Sequence, residues 1–123
     1  MSQRKKIKST NPHLIELICF LRKKAQENNA PIWRDIAERM LKPRQRRAEV
    51  NISRLNRYTK EGDQVVVPGK VLGAGIIDHP ITVAAFAFSE QAKEKILRAK
   101  GKCISIPELV KINPRGANVK IMR

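Results

Sequence analysis

The chain has 123 residues, enough for one domain with a modest core and too few for two independent ones. Its 26 Lys and Arg against 11 Asp and Glu leave a formal charge of +15, which repels itself in a compact chain and predicts a polyanionic partner, nucleic acid before an anionic membrane. No apolar run is long enough to span a bilayer and no signal-peptide stretch follows the N-terminal charges, so an intracellular, soluble protein is expected.

The charge is uneven: residues 1–60 hold 16 basic and 5 acidic side chains, and residues 61–123 hold 10 and 6. The first half is therefore expected to be the electrostatic footprint and the second half the better core. Residues 1–10 carry Arg4, Lys5, Lys6 and Lys8 with little to bury, a basic arm expected to order only against phosphates. Residues 11–123 are expected to form a single α/β RNA-binding domain, with a basic helical part over 11–60 and a strand and helix core over 61–123.

Asn11 and Pro12 predict a helix start, Asn as N-cap and Pro at the first helical position. Leu14, Ile18, Leu21 and Ala25 follow at helical spacing, and Asn28-Asn29 ends the run. A second helix is predicted from about Pro31 to Lys42, its apolar stripe made of Trp33, Ile36, Ala37, Met40 and Leu41. On its polar side Arg34 with Glu38 and Asp35 with Arg39 are candidate i,i+4 pairs. Trp33, on the stripe, is read as core rather than as a base-stacking ring.

The densest basic segment is KPRQRRAEVNISRLNRY, which holds Lys42, Arg44, Arg46, Arg47, Arg54 and Arg57. Arginine predominates, and its planar guanidinium can fork two hydrogen bonds to phosphate or stack on a base. Val50-Asn51-Ile52 predicts a short extended piece and Ser53 an N-cap, after which Leu55 and Tyr58 would face inward and Arg54 and Arg57 outward.

Val65 to Gly75, VVVPGKVLGAG, has the look of a phosphate-binding loop but lacks its mechanics. A P-loop needs Gly where Gln64 stands and a metal-binding hydroxyl where Val71 stands. Gly73-x-Gly75 would need a third small residue at Asp78 and a helix after it, whereas Asp78-His79-Pro80 reads as a turn. The Pro68-Gly69-Lys70 loop is expected either to turn Lys70 and exposed amides toward phosphate or to make a tight turn beside the core.

Ile81 to Phe88 is apolar at every position except Thr82, as expected of a strand covered on both sides. Ser89 predicts the cap of a helix with Ala92, Ile96 and Ala99 inward, Lys93, Glu94, Lys95 and Arg98 outward, and Gly101 as its stop. A strand over Cys103–Ile106, a short helix over Pro107–Ile112, a turn at Asn113–Gly116 and a last strand over Val119–Met122 complete an α/β order.

No motif for nucleophile and base, paired carboxylates or metal ligands stands in the sequence, so neither enzyme nor cofactor is expected. Cys19 and Cys103 lie outside any metal-ligand spacing and are read as buried structural thiols. Aromatic content of 4% is too low for the interleaved rings of a single-strand stacking platform. What remains is recognition of backbone and shape by cations, close-approaching glycines and hydrogen-bonding groups such as Asn51. A chromatin-like double-stranded DNA binder using a helix-turn-helix near 31–42 and 53–60 is the alternative, disfavoured by the long connection. An enzyme acting on a phosphate-bearing substrate through Lys70 is a further one.

The segments TNPHLIELICFLRKKAQ, IWRDIAERMLKPRQRRAEVNISRLNRY, VVVPGKVLGAG, ITVAAFAFSEQAKEKI and NPRGANVKIMR closely resemble archaeal and eukaryotic large-subunit ribosomal protein eighteen-e. That family's C-terminal half is kin to bacterial large-subunit ribosomal protein fifteen. The resemblance runs from about Ser9 to the C-terminus, and the short ends look archaeal. It implies a structural component of the cytoplasmic ribosome's large subunit that binds large-subunit ribosomal RNA and sits beside other ribosomal proteins. It also implies a helical N-terminal part followed by an irregular superhelix of strand-strand-helix units. Charge and expected exposure nominate Arg4, Lys5, Lys6, Lys8, Arg34, Lys42, Arg44, Arg46, Arg47, Asn51, Arg54, Arg57 and Lys70 as RNA-binding.

Overall fold

A computed structural model describes residues 11–43 and 47–123. Helices α1 (Pro12–Glu27) and α2 (Pro31–Met40) lead into strand β1 (Ala48–Asn51) and helix α3 (Ile52–Tyr58). Strands β2 (Gln64–Leu72) and β3 (Thr82–Phe88), helix α4 (Glu90–Arg98), strand β4 (Lys102–Ser105), helix α5 (Ile106–Ile112) and strand β5 (Val119–Ile121) follow.

The strands form one sheet in which every pairing is parallel. β3 and β4 lie to one side of β2. On its other edge β5 pairs with Gln64–Val66 and β1 with Gly69–Leu72. A parallel sheet needs cover on both faces, and alternate strand residues divide accordingly. Val66 and Ala84 join a cluster with Leu14, Ile18, Leu21, Trp33, Ile36 and Leu109 under α1, α2 and α5. Val65, Val67, Val71, Val83 and Ala85 join Val50, Leu55, Ala92 and Ile96 under α3 and α4. The N-terminal half thus supplies core as well as charge, since α1 and α2 supply most of the first cluster. Trp33 is fully buried, as expected of a core ring, and its Nε1 donates to the Pro114 carbonyl at 2.7 Å.

Local signals placed the helices well. Asn11 caps α1 by accepting the His13 amide at 3.0 Å, and Ser89 caps α4 by accepting that of Ala92 at 3.1 Å. Two helix boundaries differ from expectation. Asn51, not Ser53, precedes α3, because β1 runs directly into the helix. After α4 the left-handed residue is Lys100, at φ 67°, while the Gly101 amide reaches back to the Ile96 carbonyl at 2.9 Å. Gly101 serves close approach instead: a Cβ there would stand 2.5 Å from the Ile81 carbonyl oxygen.

Candidate nucleic-acid interface

The stretch read as a loop is the middle of β2. Pro68 and Gly69 are buried within the strand, at a register shift where β2 uses one more residue than β3 between Val67 and Lys70. A bulge tolerates proline, which has no amide to give the ladder. Gly69 sits opposite Ala48 of β1, and a Cβ on it would collide with the Ala48 carbonyl oxygen. Glycine therefore lets β1 close on the edge of β2.

That closure aims the charges. In the β1–β2 register Val50 pairs with Val71 and both are buried in the cluster under α3 and α4. Their neighbours Glu49 and Lys70, also paired, point to the opposite face by strand alternation and are exposed. Beyond the cover of α1 and α2 this leaves an open groove of about 450 Å³, bordered by Asn11, Arg47, Glu49, Gly69, Lys70 and Phe86. A second cleft of about 360 Å³ shares Arg47 and Glu49 with it and adds Arg39, Lys42 and Arg123. Five cations thus follow one edge of the sheet.

Among the described residues Lys42, Lys70 and Arg123 make no ion pair. Arg39 is matched by Asp35 at 3.1 Å, and Arg47 Nε donates to the Lys42 carbonyl at 3.0 Å. Of the residues nominated from the sequence, Lys42, Arg47 and Lys70 come together here. Arg39 and Arg123 were not nominated. Arg39 read as an ion-pair partner, and nothing near Arg123 in the sequence signals that β5 brings it alongside Lys42.

Arg54 and Arg57 form a separate group on α3, around a cleft of about 200 Å³ with Ser53 and Tyr58. Tyr58 is 53% exposed rather than facing inward, and Arg54 lies 5.7 Å from its ring centroid, within cation–π reach. Ile52 and Leu55 suffice to seat this short helix. Asn51 Oδ1 accepts the Ala74 amide at 3.2 Å, so one end of that side chain is structural. Arg34 is exposed on α2, and its expected pairing with Glu38 is not formed. Arg4, Lys5, Lys6, Lys8, Arg44 and Arg46 lie outside the described residues.

The helix-turn-helix alternative fails on geometry, because α2 and α3 pack on opposite faces of the sheet with β1 between them. Lys95, expected to point outward, is half-buried and donates to the Gly73 and Gly75 carbonyls at 2.6 Å each. Cys19 is exposed, and burial raises the thiol pKa of the half-buried Cys103. Among the described residues no cluster of His, Cys, Asp or Glu could hold a metal ion, and no helix is long and apolar enough to cross a membrane.

The molecule is thus a basic α/β sandwich with a cationic sheet edge, and comparison with known sequences gives the family. The model of the family described as Ribosomal protein 60S L18 and 50S L18e matches residues 1–123. The chain is 51% identical to the large ribosomal subunit protein eL18 of Methanococcus maripaludis, over 96% of this chain and 98% of that protein. It is 48% identical to the eL18 of Archaeoglobus fulgidus, over 94% of this chain and 99% of that protein. The chain belongs to the L18/L18e family of ribosomal proteins. It is accordingly a structural constituent of the large subunit of the cytoplasmic ribosome and not an enzyme.

Proposed function

We propose that the protein binds and stabilises large-subunit ribosomal RNA by neutralising phosphates and matching the shape of the folded RNA. The single observation that carries this is the sheet edge where Lys42, Lys70 and Arg123 stand without ion-pair partners among the described residues, beside Arg39 and Arg47. Cations gathered in excess of nearby acids repel one another, and a phosphate backbone relieves that repulsion while releasing its own counterions. Residues 11–123 act as one RNA-binding domain. Arg34 on α2, Asn51 at the end of β1, and Arg54 and Arg57 on α3 contribute, and Arg4, Lys5, Lys6, Lys8, Arg44 and Arg46 add positive charge. Neighbouring large-subunit ribosomal proteins are the remaining partners.

The test is binding to deproteinised large-subunit ribosomal RNA across a salt series. With about 8 phosphates neutralised on irregular RNA, log affinity should fall against log salt with a slope of about −6. A slope near zero, or equal affinity for duplex DNA in competition, would defeat the proposal.

A further inference from the structure

Glu49 is the anomaly of the cationic edge. It borders both clefts, is exposed, and has Arg47 and Lys70 beside it, yet it makes no ion pair among the described residues. A carboxylate facing a polyanion weakens binding by like-charge repulsion, unless it accepts hydrogen bonds from a part of the RNA that is not phosphate. Those donors are the amino and imino groups of bases and the ribose hydroxyls.

The groove around Glu49 has the form for a base. Its volume of about 450 Å³ is within the range of small-ligand pockets. Gly69 presents no side chain, and the half-buried Phe86 lines the groove while packing against the core under α1 and α2. Arg47 and Lys70 stand at the rim, where the phosphates on either side of an unstacked nucleotide would fall. A carboxylate beside an aromatic surface, between two cations, has the groups that an extruded base needs: a stacking partner, an edge acceptor and phosphate ligands.

Resting on the ribosomal RNA reading above, we infer that this groove receives one unpaired guanine nucleotide, with Glu49 accepting from its base edge and Arg47 and Lys70 holding its phosphates. Guanine is chosen by its donors. Its N1–H and N2–H₂ lie side by side and match both carboxylate oxygens, whereas the amino group of adenine or cytosine offers only one such donor group.

The sign of one substitution decides the matter. Glu49→Ala removes a negative charge from a surface meeting RNA, so simple electrostatics gives equal or tighter binding. Edge recognition instead gives binding to deproteinised large-subunit ribosomal RNA about tenfold weaker, with the salt slope unchanged. Glu49→Gln, which keeps the shape and loses one acceptor, should be weakened similarly. Glu90→Ala, an exposed acid on α4, should bind as the wild type does or slightly tighter.

Ultraviolet cross-linking of intact large subunits should join a guanosine to the peptide carrying Phe86. Inosine at that position, lacking the amino group, should weaken the wild type but not Glu49→Ala. Equal or tighter binding by Glu49→Ala, or a cross-linked nucleotide other than guanosine, overturns the inference while a steep wild-type salt slope leaves the RNA function standing. A flat wild-type slope overturns both.

Discussion

Along one edge of β2 the first half is paired by β5 and the second half by β1, and the charges beside the two pairings are handled in opposite ways. At the β5 end Asp63 accepts the Lys60 amide at 2.8 Å and pairs with Lys120 at 2.9 Å. Asn113 there donates to Gln64 at 2.8 Å. At the β1 end Lys70 and Glu49 are neighbours across the strands, yet neither is ion-paired among the described residues, and Lys42 and Arg123 stand nearby. A cation whose counter-charge lies within the chain holds the fold. One without an ion-pair partner adds its charge to the surface field instead.

The comparison breaks most severely at Gly69. Its replacement by alanine sets a Cβ against the Ala48 carbonyl, which is backbone and cannot rotate away. Gly69→Ala should cost about 3 kcal/mol in urea unfolding, at the upper end of overpacking. Amide exchange should speed at Glu49 and Val50 while Lys120 and Ile121 keep their protection. Wild-type stability would mean that β1 does not press on β2 as described.

Next in size is charge removal at the β1 end. Replacing Lys42, Arg47, Lys70 and Arg123 together by glutamine should shallow the salt slope by about 3 and lower ribosomal RNA affinity about a hundredfold at 0.15 M salt. Lys120→Gln, at the paired end, should leave the slope nearly unchanged. An equal loss from Lys120→Gln would erase the distinction between the two ends.

How the β1 end comes together was the part of the molecule least legible in the sequence. Helix caps are local, so Asn11 and Ser89 announced α1 and α4 from a few residues. The twofold burial of Ile81–Phe88 likewise announced a central strand. Pro68-Gly69 misled because these residues usually punctuate structure, and only pairing to β1, about twenty residues earlier, makes them strand interior. Arg123 was invisible for the same reason, its place being set by β5 joining β2. Lys95 read as solvent-facing from helical period. Nothing local says that the carbonyls of Gly73 and Gly75 turn toward its ammonium.

That ammonium gives a prediction of intermediate size. The segment after β2 is held by Lys95, by Asn51 through the Ala74 amide and by Asn56 through the Asp78 amide. Lys95→Met keeps the aliphatic stem and removes two charge-assisted bonds in a partly solvated site, a loss of about 1.5 kcal/mol. Arginine at this position should recover part of it. A methionine variant as stable as the wild type would show that Asn51 and Asn56 hold the segment without Lys95.

The smallest effect probes the paired end, and its sign can be worked out. The Asp63 carboxyl is held below its ordinary value of 3.8, first by the Lys60 amide that donates to it and then by Lys120. A carboxyl depressed by folding contributes stability that is fully present above its unfolded value and lost as pH falls through the folded one. Asp63→Asn should therefore cost under about 1 kcal/mol at neutral pH, as exposed pairs do, and the variant should converge with the wild type in strong acid. Added salt should narrow the neutral gap as well, because part of it is the attraction of Lys120. A gap that persists unchanged into acid would mean that the carboxylate's charge adds nothing. The β5 end would then be held by Gln64–Asn113 and the strand pairing alone.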